Sequence, residues 1–307
     1  MLLRQLEYLV ALARERHFAR AAAACHVSQP SLSAGIRKLE RELGVPIVSR
    51  GRRFEGLTPE GERVLRWAHR ILAERDALRQ DLSIMRESLS GVLRIGAIPT
   101  ALTAASLLTA PFCERYPRVR ISLESLSSRE ITRRLAEFEL DVAMTYVDDD
   151  ELGNVRVRPL YEERYLLLTP EDGVPAGRDS VGWAEVASLP LCLLTPRMRN
   201  RRILDGLFAA AGAVPVPAIE TDTVSALYAH VATHRWSTVI AHAWLHMFGT
   251  PAGTRVVPLE TRGPAPQIGL VTADHDPEPI LAGALLDLAA ELDVRGALDR
   301  ILREHAG

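Results

Sequence analysis

Residues 17–61, HFARAAAACHVSQPSLSAGIRKLERELGVPIVSRGRRFEGLTPEG, decide the architecture of this 307-residue chain. They spell two short helices joined by a tight turn, followed by a basic hairpin. The first helix, Phe18 to about Cys25, carries Ala21, Ala22 and Ala24 on its inner side. Small side chains let a second helix come close, as a helix-turn-helix requires. His26 and Val27 make the turn. Ser28 is a good N-cap, because its hydroxyl can accept a free N–H of the first turn, and Pro30 sits where a missing N–H costs little. Leu32, Ile36, Leu39 and Leu43 then recur at helical spacing and form one buried stripe, before Gly44 ends the helix.

The opposite face carries Gln29, Ser31, Ser33, Arg37, Lys38 and Arg41. A helix in the major groove reads base edges with its N-terminal residues and holds phosphates with its cations. Gln29 suits an adenine edge and Arg37 a guanine or a phosphate, while Ser31 and Ser33 can reach either. Arg50, Arg52 and Arg53 around Gly51 suit a wing laid on the phosphate backbone. The candidate DNA-binding set is Ser28, Gln29, Pro30, Ser31, Ser33, Arg37, Lys38, Arg50, Arg52 and Arg53. A solvated basic face on an ordinary helical hairpin would explain any one of these signals. It does not explain cap, stripe, polar face and wing together.

On these residues the resemblance to a known family becomes specific. The segments LRQLEYLVALARERHFARAAAACHVSQPSLSAGIRKLERELGVPIVSR and LTPEG resemble the amino-terminal signature of LysR-type transcriptional regulators. The match is dense from Leu2 to about Gly61, and the rest of the chain has that family's length and layout. Two departures stand out. A basic or amide-bearing pair often follows the second serine of the family's recognition helix, where this chain has Ala34-Gly35. Neither residue offers the base or phosphate contact of that pair, and Gly35 costs its helix about 1 kcal/mol relative to alanine. Val48 stands where phenylalanine is usual, a matter of packing more than of DNA contact.

Length implies more than one domain, and 47% apolar with 25% charged residues is the balance of a soluble globular protein. The net charge of −2 hides an asymmetry. Residues 1–58 hold ten Lys and Arg against five Asp and Glu, residues 59–90 six against six, and residues 91–307 hold 21 against 28. A basic head on an acidic body is the footprint of a DNA-binding module attached to something else. Lys38 is the only lysine, which reflects codon bias more than mechanism. Cys25, Cys113 and Cys192 are too scattered for a disulfide framework or zinc cluster. No signal-peptide layout opens the chain, since Arg4 and Glu7 interrupt the apolar residues, and a cytoplasmic location is expected. The uncharged run Ile95–Cys113 is broken by Gly96, Pro99 and Pro111, which argues against a membrane span.

Three regions are expected: a winged helix-turn-helix over 1–58, a linker helix over 59–90 and an effector domain over 91–307. Met1 to about Arg16 reads as an amphipathic helix facing the helix-turn-helix. Thr58-Pro59-Glu60 caps a long helix to about Leu89, with Val64, Leu65, Ala68, Ile71, Leu72, Leu78, Leu82, Met85 and Leu89 as its stripe. Such a stripe wants a partner helix, and the resemblance implies antiparallel pairing with a second subunit, in a homodimer or homotetramer. The alternative is a helix packed on its own domain. Beyond it, Val92–Ala97, a helix from Pro99-Thr100 to about Tyr116, Val119–Leu126, a helix from Ser127-Ser128 and Leu140–Met144 alternate as strand and helix, the pattern of a parallel sheet. Tyr165–Thr169 opens a second α/β lobe, with strands near Leu191–Leu194 and Val239–Ile240 and helices near Arg202–Ala211 and Val224–Thr233. Gln267–Thr272 returns to the first lobe and Glu278–Leu292 closes it. The expected fold is therefore a winged head, a linker helix and a bilobed, hinged α/β domain resembling periplasmic binding proteins. Lobe I spans about 91–161 and 267–307, and lobe II about 162–266.

Ligands of open α/β sheets bind beyond the carboxyl ends of the strands, where helix N-termini point inward. Pro99 and Thr100, Ser127 and Ser128, and Thr195 stand at three such ends. The family resemblance implies effector binding by the residues at Thr100 and Ser128. A small anion, a carboxylate or inorganic oxyanion, is expected. Each hydroxyl alone is more simply an N-cap; their convergence favours a pocket. The run Arg197–Arg202 holds four arginines. It reads first as a solvated surface or subunit contact, with Arg199 as the candidate counter-charge from lobe II. His230 with His234, and His242 with His246, have the i, i+4 spacing of metal ligands but no accompanying carboxylate or cysteine. Cys192 reads as a buried strand cysteine. No metal, cofactor or catalytic set is expected, because G-x-S-x-G, P-loop and G-x-G-x-x-G motifs are absent. Double-stranded promoter DNA, a small anion and further copies of the chain are the expected partners, and the resemblance allows RNA polymerase as another. The alternatives are a ligand-binding protein or an enzyme of the same bilobed fold without a regulatory role.

Overall fold

The computed structural model describes residues 1–50, 54–84, 89–148, 152–173, 180–260, 263, 265–274 and 279–305. Contacts group the chain into one unit of Met1–Leu89 with Ala136–Glu139 and another of Ser90–Leu135 with Leu140–Gly307.

The first unit runs α1 (Leu3–Glu15), α2 (Phe18–Ala24), α3 (Gln29–Leu43), β1 (Val48–Arg50), β2 (Phe54–Leu57) and α4 (Pro59–Ile84). Leu6, Leu9 and Leu12 of α1 meet Ala21 and Ala22 of α2 and Leu32, Ile36 and Leu39 of α3 in one core. Two expected members are missing from it. Ala24 is exposed, and Leu43 is 40% exposed in the last turn of α3, where Gly44 at φ 70° bends the chain away. Gly35 has a packing reason. A Cβ there would lie 2.6 Å from the Tyr8 ring, so glycine lets α3 close on α1. Glu40 accepts from the backbone N–H groups of Ile47 (3.0 Å) and Val48 (3.2 Å), tying α3 to the root of the antiparallel β1–β2 hairpin.

Thr58 starts α4, its hydroxyl accepting from the Gly61 N–H at 2.9 Å. Glu60 and Glu62 place negative charge in the first turn, which favours the positive end of the helix dipole. Ala68 is fully buried, and Val64, Leu65, Ile71 and Leu72 pack on the head core. An ion pair joins Arg75 to Glu7 of α1. The first half of the stripe therefore lies on its own unit, and Leu78, 59% exposed, is its first outward member. Met85 and the side chain of Leu82 lie outside the described residues.

In the second unit β3 (Gly91–Ala97), α5 (Ser106–Arg115), β4 (Val119–Ser125), α6 (Ser128–Ala136) and β5 (Val142–Tyr146) form the parallel part of lobe I. β6 (Val155–Glu162) then leads across to lobe II, where β7 (Tyr165–Pro170), α7 (Trp183–Ala187), β8 (Cys192–Leu194), α8 (Arg199–Ala210), β9 (Ile219–Thr221), α9 (Val224–Val231), β10 (Thr238–Ala241), α10 (Leu245–Phe248) and β11 (Thr254–Pro258) follow. The return crossing brings β12 (Gln267–Ala273), α11 (Ile280–Glu291) and α12 (Val294–His305). Lobe I is a sheet ordered β4-β3-β5-β12-β6, with β12 antiparallel to both neighbours. Lobe II holds antiparallel β10-β7-β11 and parallel β8-β9. The two crossings touch where the Glu163 N–H donates to Pro266 O at 2.8 Å.

Two readings need correction. The helix expected from Pro99-Thr100 begins only at Ser106. Residues between form a 3-10 turn at Leu102–Ala104, with the Thr103 hydroxyl on the Ala243 carbonyl at 3.3 Å. Strand β6 and helix α12 were not expected at all. β6 carries Pro159, tolerated because β6 is an edge strand whose register slips there.

Candidate functional site

The exposed face of α3 is organised from its first turn. Ser28 caps the helix, its Oγ accepting from Ser31 N–H at 3.3 Å and meeting Ser31 Oγ at 2.8 Å. Gln29, Pro30, Ser31, Arg37 and Lys38 are exposed, and Ser33 is half-buried. The stripe Leu32, Ile36 and Leu39 holds the opposite side in the core. These residues thus share one outward face, running from the N-terminus past the middle of a helix anchored from behind. Arg50 ends β1; Arg52 and Arg53, the other wing cations expected at DNA, lie outside the described residues.

In the second unit a cavity of about 1000 Å³ opens between the strand ends of the two lobes. All six expected ligand residues line it: Pro99, Thr100, Ser127, Ser128, Thr195 and Arg199. Lobe I contributes the start of α6, which is occupied, since the Ser127 hydroxyl accepts from the Glu130 N–H (3.3 Å) and Glu130 reaches back to it. Lobe II contributes the start of α8, where Met198 provides no side-chain cap. Arg129, Arg197, Arg199 and Arg202 line the cavity against Glu130 and Asp222, a surplus of two positive charges.

The arginine run is not one uniform surface. Arg201 is buried, donating to Leu194 O (2.7 Å), Glu220 (2.8 Å) and Asp205 (2.7 Å). It pins the first turn of α8 to the end of β8 and so fixes the Thr195 loop. Arg199 lies over the Tyr146 ring at 5.1 Å and pairs with Asp148 at 3.7 Å.

Deeper in, the cavity wall is polar. Thr100 is buried, its carbonyl accepting from Trp244 Nε1 at 3.0 Å, while its hydroxyl lies against the Tyr146 phenol. Tyr146 and Asn200 also line the cavity, backed by Glu163. Burial, together with the charge of Asp148, outweighs the hydrogen bonds from Tyr165, Tyr146 and Asn200 and pushes the Glu163 carboxyl up to about 7. Burial and the neighbouring Glu163 push the phenols of Tyr146, Tyr161 and Tyr165 well up. Tyr146, Glu163 and Asn200 escaped the sequence reading. Only the position of Tyr146 at the carboxyl end of β5 could have flagged one of them.

The histidine pairs have other partners. His230 Nδ1 meets Ala226 O at 2.7 Å, and His234, beyond the end of α9, meets Ala252 O at 2.9 Å. His242 is buried and accepts from the Arg164 N–H at 3.1 Å; burial lowers it to about 4. His246 faces Ser106 at 3.0 Å. Among the described residues no three potential metal ligands cluster. Cys192 is fully buried in β8 and burial raises its thiol to about 11.

Two family models divide the chain. Residues 3–62 match the bacterial regulatory helix-turn-helix protein, lysR family, and residues 86–293 match the LysR substrate binding domain. The chain belongs to the LysR family. The DNA-binding transcriptional dual regulator OxyR of Escherichia coli (strain K12) is 37% identical over 195 residues, a stretch covering 63% of this chain and 64% of that relative's length. A probable hydrogen peroxide-inducible genes activator of Streptomyces viridosporus is 31% identical over 303 residues, covering 95% and 96%. Full-length OxyR from Pseudomonas aeruginosa superposes with a TM-score of 0.76 at 26% identity, over 96% of this chain and 99% of that one. The LysR fold, a helix-turn-helix head with a LysR-type α/β domain, is thereby shared along nearly the whole chain.

Proposed function

We propose that this protein is a DNA-binding transcriptional regulator whose hold on promoter DNA is modulated by a small anion in the cleft between the two α/β lobes. The observation that carries the reading is the outward face of α3, where Gln29, Ser31, Arg37 and Lys38 stand exposed on a helix packed from behind by Leu32, Ile36 and Leu39. Ser33, Pro30, the Ser28 cap and the wing arginines Arg50, Arg52 and Arg53 complete the proposed DNA contact. Function in the cytoplasm follows from the need to reach DNA, and no helix among the described residues is long and apolar enough to cross a membrane. Linker helices and α/β domains would join copies of the chain into a dimer or tetramer, with RNA polymerase as a further partner.

The relatives' names couple them to hydrogen peroxide. In this chain the described lining of the cleft holds no cysteine, and Cys192 is buried with its thiol held protonated. A thiol reacts with oxidants as thiolate, so the cleft lining and Cys192 favour reversible ligand binding over thiol chemistry there. The exposed Cys113 stands on α5 and is not among the residues that line the cleft. The surplus of arginines and the uncapped start of α8 support an anion. A gel-shift with duplex DNA from upstream of the protein's own gene tests the first half: a sequence-specific shift weakening steeply with salt is expected. Retention of non-specific binding alone would refute it.

A further inference from the structure

A directed chain of hydrogen bonds runs from the crossing between the lobes to the cavity wall. Glu163 sits on the short crossing from β6 to β7 and is 1% exposed. Its Oε2 accepts from Tyr146 Oη at 3.0 Å and from Tyr165 Oη at 2.9 Å. A phenol has one proton to give. With that proton spent on Glu163, the Tyr146 oxygen can only accept, and it accepts from Asn200 Nδ2 at 3.4 Å. The carboxamide is thereby oriented, leaving Asn200 Oδ1 as an acceptor that is buried and has no hydrogen-bond partner among the described residues. Asn200 and Thr100 both line the cavity. The cavity wall therefore holds, in Asn200 Oδ1, an acceptor without a partner among the described residues, next along α8 from Arg199, and the Thr100 hydroxyl, bonded like Asn200 to the Tyr146 oxygen.

Resting on the reading of the cleft as an anion-binding pocket, we propose that its ligand is a small organic acid carrying a hydrogen-bond donor, hydroxyl or ammonium, apart from its carboxylate. The donor meets Asn200 Oδ1, and the carboxylate faces the arginines that line the cavity. Asn200 determines specificity. Glu163 touches no ligand and acts as a positioning residue, fixing through Tyr146 and through its own bond from Asn200 which end of the carboxamide the ligand meets. A site built around a buried acceptor rejects an analogue that cannot donate to it, because the acceptor is then left unpaired.

The test uses full-length protein and isothermal titration calorimetry on matched acids: acetate with glycolate and glycine, succinate with malate and aspartate, 3-phenylpropionate with 3-phenyllactate and phenylalanine. In the set that binds tightest, a donor-bearing member should bind at least tenfold tighter than its parent acid, and the better of the two substituted acids tells hydroxyl from ammonium. Asn200→Leu should bring the members within about twofold of one another, as expected when one hydrogen bond to the site is lost. Glu163→Gln, whose amide can donate to Tyr146 and release the phenol proton towards Asn200, should lower the preference several-fold while the parent acid's affinity holds. It also serves should Asn200→Leu fail to fold. Equal binding of parent and substituted acids, or a preference untouched by both variants, overturns this inference. If that binding is still weakened by Arg199→Ala, the anion pocket itself stands. Failure of every acid to bind overturns both.

Discussion

The recognition face of α3 and the cleft of the α/β unit both present polar groups to a partner, but they are built in opposite ways. The α3 face is local. Its cap, stripe and cations lie within residues 28–41, and its polar side chains are exposed apart from the half-buried Ser33. The cleft is assembled from strand ends far apart in sequence, and its decisive groups are buried: Thr100, Tyr146, Glu163 and Asn200. An exposed face gains affinity through charge and is therefore sensitive to salt. A buried one gains selectivity, because each unpaired polar atom penalises the wrong ligand.

The sharpest way to break this comparison is to remove what stands behind each surface. Leu39→Ala empties a fully buried position under the α3 face and should cost about 2–5 kcal/mol of stability. Urea unfolding reads the loss, and DNA binding should fall with it. In the cleft, Glu163 supplies a pH signature. Its carboxyl is raised from an ordinary 4.5 to about 7, so the folded state binds more protons than the unfolded chain within that window. Stability should therefore fall as pH rises from about 4.5 to 7, by a few kcal/mol at most, and level off above. Urea midpoints taken across this range should show the slope in the parent and its loss in Glu163→Gln. An unchanged slope would place the buried proton elsewhere.

Smaller changes sharpen the contrast without disturbing the fold. Arg37→Ala or Gln29→Ala should weaken specific DNA binding by about 1–3 kcal/mol, with melting temperature and ligand titration unaltered. Binding that survives both would mean another surface reads the DNA. Thr100→Val should blunt the ligand response several-fold at unchanged DNA affinity, measured as the dose–response of the gel-shift. A response identical to the parent's would remove Thr100 from the ligand's contacts.

The same division explains what could be read from the chain. Ser28, Leu32, Ile36, Leu39 and Gly44 announce α3 because caps and helical periodicity are local signals, and the error at Leu43 is one of helix end effects. Strand β6 is masked by Pro159 and alternating arginines, since its edge position depends on β12 over a hundred residues later in the chain. The late start of α5 depends on Thr103 finding the Ala243 carbonyl, a contact no local pattern encodes. Pro99, Thr100, Ser127, Ser128 and Thr195 were drawn together by the rule that strand ends face the ligand, with the family resemblance behind Thr100 and Ser128, and Arg199 came from the arginine run beside Thr195. Glu163 was invisible because it sits between Glu162 and Arg164, both exposed, and its burial comes from partners on β5, β7 and α8.

One joint in the head has a mechanical corollary. Thr58 donates its N–H to Ile47 O at 2.9 Å and its hydroxyl to Pro46 O at 2.7 Å, and Gly61 lets the first turn of α4 rest directly on that peptide. The root of the hairpin and the first turn of the long helix are thus one solid corner with no slack in it. A twist applied to the first turn of α4 would turn strands β1 and β2 with it, as a spindle turns what is fixed to it.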